Sequence, residues 1–193
     1  MRLSTLAARA ALLGLLPCSA VAAQLPGGWL IVGGSVGYTL GGSHYHSGVN
    51  FGGRLGAAVR ILPHIALDAL GDVFRTPVGV QQTNCPAPSL PGSCGPTSDD
   101  VGLVTGGSVG IEYAPRAFTN FGSLVLSGGV GGYHVGGRLL PSFTTIGFRA
   151  SGEKTVMLGT RTAASVMLGA LVLPSSSHGT IWRVPLGVNL RIW

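Results

Sequence analysis

The chain has 193 residues, of which 9% are charged and 46% hydrophobic, with 33 glycines and a mean hydropathy of +0.47. A soluble domain carries about 25% charged residues, so this composition points to lipid as part of the solvent. Its glycine content argues against long helices, because each interior glycine costs about 1 kcal/mol relative to alanine. The formal charge of +6 is scattered without a Lys/Arg run, which gives nucleic-acid binding no support.

Residues 1–23 read as a signal peptide. Arg2 and Arg9 form a positive start, 10–16 are apolar, and Val21-Ala22-Ala23 before Gln24 fits an A-x-A-like cleavage site. The apolar run falls short of the roughly 20 residues that span a bilayer. A lipoprotein reading through Cys18 is disfavoured by the rigid Pro17 before it. Cleavage leaves 24–193 as one domain with ten basic and six acidic residues, a net charge of +4.

From there the signal has period two. Between 49 and 61, Val49, Phe51, Leu55, Ala57, Val59 and Ile61 alternate with Asn50, Gly52, Arg54, Gly56, Ala58 and Arg60. A strand puts those two sets on opposite faces, whereas a helix mixes them. The pattern predicts eight strands, at 28–40, 48–61, 64–75, 100–113, 121–135, 143–157, 162–173 and 181–193. Glycines blur the phase of the fifth. The connectors alternate: 62–64, 114–120 and 158–161 are short, while 41–47, 76–99, 136–142 and 174–180 are polar and rich in Gly, Pro or Ser. Short turns at one end and longer loops at the other describe an antiparallel up-and-down transmembrane β-barrel of the bacterial outer membrane, with both termini periplasmic. Cys85 and Cys94 then fall in the longest outer loop, where an oxidising compartment favours a disulfide.

The polar phase of the strands carries Arg54, Arg60, Asp68, Asp72, Glu112, Arg149, Glu153, Arg183 and Arg191, five arginines against four acids. These are the expected lumen charges. A hairpin centred on Pro63 sets Arg54 opposite Asp72 and Arg60 diagonal to Asp68. Tyr38, Phe51, Tyr113 and Trp182 lie on the apolar phase near strand ends, as interfacial aromatics do. Lys154 also lies on the apolar phase, near enough to a strand end to snorkel. Two rival architectures share parts of this pattern. A soluble barrel would turn the apolar phase inward, and a helical membrane protein would need 156–173 as its span.

The closing segment Trp182-Arg183-Val184-Pro185-Leu186-Gly187-Val188-Asn189-Leu190-Arg191-Ile192-Trp193 resembles the last strand of small OmpA/OmpX/OmpW-like outer-membrane barrels, and Ser127-Gly128-Gly129-Val130-Gly131-Gly132-Tyr133 is similar to their Gly-rich fifth strand. The resemblance covers most of the mature chain in layout. It implies recognition of the closing strand by the barrel-assembly machinery, and it brings in a conduit for small hydrophobic molecules as an alternative role. One departure is that Trp193 is out of phase with Val188, Leu190 and Ile192. Either Ile192 takes the terminal role and Trp193 is an extra interfacial anchor, or the last strand carries a bulge.

Chemistry is sparse. His44, His46, His134 and His178 map to outer loops or rims, and His64 to a turn. His44 and His46 face the same way on an extended segment, but no carboxylate lies beside them to complete a metal site. His46 with Ser47, or His178 with Ser175–Ser177, offers a base and a nucleophile for a lipid A-modifying enzyme. A residue to orient the base is missing. The Gly-rich stretch 128–132 opens no helix, so it is no phosphate cradle. The expectation is therefore a monomeric, non-enzymatic barrel without cofactor or metal. Its side chains fill the bore, and its partners are outer-membrane lipids, lipopolysaccharide and molecules met by the outer loops.

Overall fold

A strand inside a bilayer must have both edges paired, because lipid offers its backbone no hydrogen bonds. The computed structural model describes residues 27–41, 47–78, 100–116, 124–137, 142–176 and 179–193, apart from the side chains of 77, 78, 100 and 101. They form β1 (Gly28–Leu40), β2 (Gly48–Leu62), β3 (Ile65–Val78), β4 (Asp100–Tyr113), β5 (Leu124–Gly136), β6 (Phe143–Met157), β7 (Thr162–Leu173) and β8 (Ile181–Ile192). Each strand pairs antiparallel with its sequence neighbour, and β1 pairs with β8 from Leu30↔Ile192 to Leu40↔Trp182. The result is a closed eight-stranded barrel without a free edge. The signal peptide at 1–23, His44, His46, Cys85, Cys94 and His178 lie outside the described residues.

Four strands coincide with the periodicity reading end to end, and the others depart from it by a few residues. The largest extension is in β3, which runs through Pro77 to Val78 because β4 starts early enough to pair with it, Val78 facing Asp100. The helical alternative for 156–173 finds no support: those residues divide between β6, a turn and β7. Among the described residues no helix is long and apolar enough to cross a membrane.

The connections β2–β3, β4–β5 and β6–β7 share one end of the barrel with Gly27 and Trp193. The first is a two-residue turn at Pro63-His64, with a bulge between Arg60 and Leu62. The next turn is tied to it, as the Ala114 amide donates to the His64 carbonyl at 2.9 Å and the His64 ring lies 2.9 Å from the Ala114 carbonyl. In the third, the Leu158 amide donates to the Thr162 carbonyl at 3.0 Å.

Sidedness follows the two-residue period. In β8, burial alternates without exception: Ile181, Arg183, Pro185, Gly187, Asn189 and Arg191 are enclosed, and Trp182, Val184, Leu186, Val188, Leu190 and Ile192 are exposed. Phe51 is 70% exposed and Val49 62%, whereas Glu112 is 1% and Arg191 2% exposed. The soluble, inside-out barrel is thereby corrected. Soluble monomers rarely expose apolar patches beyond a few hundred Å². Here apolar side chains cover the outside on every strand.

Glycine placement explains how so narrow a bore accepts large side chains. A Cβ on inward Gly131 would sit 2.1 Å from the Gly107 carbonyl oxygen, and one on outward Gly132 would meet nothing within 4 Å. These neighbours in one strand make a matched pair. Gly131→Ala is expected to destabilise the barrel by about 1–3 kcal/mol through overpacking. Gly132→Ala should be neutral or stabilising by up to about 1 kcal/mol, from lost unfolded-state freedom. Urea unfolding in lipid vesicles measures both, and equal costs would contradict the packing account.

Candidate functional site

The inward phase gathers a network of charge along the bore, from Arg183 toward the loop end to Arg191 and Glu112 toward the turn end. Arg54 of β2 donates from Nε to Asp72 of β3 at 2.8 Å, in the register Arg54↔Asp72. Across the bore, Arg149 of β6 pairs with Asp68 of β3. The same guanidinium donates to Ser108 at 2.8 Å and Ser127 at 3.3 Å. Arg191 of β8 grips Glu112 of β4 with both terminal nitrogens, at 2.8 and 3.0 Å, and reaches Glu153 of β6 at 3.0 Å. Glu153 also accepts from Ser165 at 2.8 Å and from Asn189 at 3.0 Å. Buried charge survives only with such partners, because unpaired ions in a low dielectric cost several kcal/mol each.

Arg183 is satisfied differently. It donates to Asn50 at 2.6 Å and to Ser35 at 2.9 Å, and its guanidinium lies 4.4 Å from the centroid of Phe74. Its neighbours are dipoles and a ring face, a cation–π arrangement. Tyr133 points its hydroxyl at Asp72, 3.4 Å away. The ring occupies a slot opened by glycines on both adjacent strands: a Cβ on Gly106 or Gly147 would come within 2.3 or 2.5 Å of it.

Apolar side chains gather toward each end of the bore. Phe74, Val104, Tyr133, Val135, Leu171, Leu173 and Ile181 pack together toward the loop end, with Phe143 against them. Trp29, Ile31, Ala58, Ala66 and Leu70 do so toward the turn end, with Trp193 against them. Between them, a cavity of about 10 Å³ lies among Arg54, Asp72, Arg149 and Arg183. That is room for roughly one water molecule.

Of the nine charges read as lumenal, Arg54, Asp68, Asp72, Glu112, Arg149, Glu153, Arg183 and Arg191 belong to the network. Arg60 does not. It sits beside the bulge at the turn end and is exposed, since its strand has left the enclosed part of the barrel there. Asp68, instead of sharing Arg60, takes Arg149 from across the bore. The aromatics Tyr38, Phe51, Tyr113 and Trp182 all face outward and are exposed. Tyr38, Phe51 and Trp182 gather at the loop end, opposite Val184, Val36 and Leu40, and Tyr113 lies at the turn end opposite Ile65. Trp193 departs from its interfacial reading. It continues the inward parity of β8 and packs against Trp29, ring centroids 6.4 Å apart and tilted by 44°. The bulge considered for β8 is not there, as its registers with β1 and β7 run without a shift.

Residues not singled out by sequence complete the network: Asn50, Ser108, Ser127, Tyr133, Ser165 and Asn189. Strand parity alone carried the signal for them, since each falls on the inward phase. Of the histidines that are described, His134 faces outward and lies 3.2 Å from Thr144 Oγ1, and His64 holds the turns together. Among the described residues, no group of three or more His, Cys, Asp or Glu could hold a metal ion. The paired sites His46/Ser47 and His178/Ser175–Ser177 involve histidines outside the described residues.

The closed ring of strands, apolar outside and ion-paired inside, defines a small eight-stranded antiparallel barrel, and solved structures share that fold. Neisserial surface protein A matches with a TM-score of 0.64 at 12% identity, over 86% of this chain and 97% of that one. The outer membrane protein OprG from Pseudomonas aeruginosa matches with a TM-score of 0.52 at 10% identity, over 86% and 96%. No protein-family model matches the sequence, and no curated protein matches it as a relative.

The network yields a prediction. Arg191→Met would leave Glu112 and Glu153 facing each other in an enclosed space without their shared cation. A cost of about 3–5 kcal/mol is expected, as for other broken buried pairs. The triple variant Arg191→Met, Glu112→Gln, Glu153→Gln should recover part of that loss. Equilibrium unfolding in vesicles tests it, and an Arg191→Met barrel as stable as the parent would refute the pairing.

Proposed function

We propose that this protein is a non-enzymatic integral barrel of the bacterial outer membrane, monomeric, with periplasmic termini, and that its loops meet partners at the cell surface. The single observation that carries the reading is the inversion of sidedness: an apolar exterior on all eight strands around an enclosed, ion-paired interior. The neighbours in fold, a neisserial surface protein and an outer membrane protein, support the location. The outward row Trp182, Val184, Leu186, Val188, Leu190 and Ile192 supports recognition of β8 by the barrel-assembly machinery, with Ile192 in the terminal position. Cys85 and Cys94 would brace the longest loop. Lipopolysaccharide would surround the loop end, where Arg75 is exposed.

A hydrophobic conduit is the weaker reading. The volume that inward glycines release is taken by Arg149, Tyr133 and Asn189, each within 3 Å of where a glycine Cβ would stand. A lipid A-modifying activity rests on histidines of the loops and gains no support from the network.

Two measurements test the proposal. Purified protein refolded into lipid should migrate differently on electrophoresis before and after boiling, and identical mobility would refute a membrane barrel. In a planar bilayer it should give no steady conductance. Large, stable steps would show that the apolar clusters do not seal the bore.

A further inference from the structure

The chain has six acids, and among the described residues none is exposed at the turn-end rim. Asp68, Asp72, Glu112 and Glu153 are buried in the network. Asp100 opens β4 opposite Val78 at the loop end, and Asp99 precedes it. The segments outside the described residues at 1–26 and 117–123 contain no Asp or Glu.

The turn end, by contrast, collects cations. Each of its three connections carries an exposed arginine: Arg60 beside β2–β3, Arg116 in β4–β5 and Arg161 in β6–β7. Successive connections are two strands apart, so the arginines are distributed around the rim. Lys154 adds a fourth cation from the lipid-facing side of β6, where Leu124 and Val166 flank it. An ammonium on an apolar wall has to extend along it to the nearest polar layer, which is at this same end.

We propose that this rim is a binding collar for anionic phospholipid headgroups, in the leaflet that surrounds the turn end. Guanidinium forks match phosphate oxygens in geometry as well as charge, and basic residues at a bilayer surface contribute additively to attraction of anionic lipid. A solvated rim of mixed sign would give no such preference. This proposal rests on the membrane reading above and adds the lipid class that the rim selects.

The test uses full-length protein in phosphatidylcholine vesicles containing a minority of phosphatidylglycerol, with spin-labelled lipids of both kinds. Insertion is established first by heat-dependent mobility, so a failure of the membrane reading is seen separately and overturns the collar with it. In the inserted barrel, motionally restricted lipid should be enriched in phosphatidylglycerol several-fold at about 0.1 M salt. The preference should fall toward parity at about 1 M, where the screening length shrinks from about 10 to about 3 Å. The variant Arg60→Gln, Arg116→Gln, Arg161→Gln should lose most of the preference, and Arg75→Gln, at the opposite end, should keep it. Should the triple variant fail to insert, the salt titration of the parent protein decides. Equal restriction of both lipids at low salt overturns the proposal. A preference that survives in the triple variant, or disappears with Arg75 alone, overturns it as well.

Discussion

Closing eight strands on themselves leaves a bore only wide enough for side chains, and the rest of the structure follows from that narrowness. Lipid outside favours outward residues that are apolar or small, with Lys154 and His134 among the exceptions toward the two ends. Confinement inside requires every large inward residue to have both space and a partner. Glycine on neighbouring strands supplies the space, as Gly106 and Gly147 do for Tyr133 and Gly110 and Gly129 do for Arg149. Ion pairs supply the partners. The interior therefore interleaves two apolar clusters with the paired charges, as where Arg191 lies over Trp29 and Arg183 over Phe74. Its ion-paired charges stabilise the structure only as a set, because removing one of a pair leaves the other desolvated.

How much of this was legible in sequence depended on the distance over which a rule acts. Parity acts over two residues, so the eight strands and most of their faces were readable, with the glycine-rich fifth strand the most blurred. Turn geometry acts over one hairpin, and the short connection at Pro63 was enough to set Arg54 against Asp72. Pairing across the bore depends on strand tilt and stagger, which no local pattern encodes. Arg149 with Asp68, and Arg191 with Glu112 and Glu153, thus emerge only from the closed barrel. Arg60 shows where parity stops: it has the inward phase but lies where the bulge and turn have ended the enclosure. Trp193 shows the reverse. Its aromatic character suggested an interface, yet its odd position in β8 carries it inward to Trp29.

Function is less constrained than fold for a related reason. An interior filled by packed and paired side chains leaves the rims, the loops and the outward wall as the surfaces open to partners. The loop end presents Arg75 and an aromatic band. The turn end presents arginines without exposed side-chain acids beside them. The two ends therefore face their surroundings with different chemistry, as an asymmetric membrane would require.

The three tryptophans make the central claim of sidedness directly measurable. In single-tryptophan variants with the others changed to phenylalanine, lipids brominated on their acyl chains should strongly quench Trp182, which is 50% exposed on the outward face. Trp29 and Trp193, packed together inside the turn end, should remain largely unquenched. Strong lipid quenching of Trp29 with none of Trp182 would contradict the account.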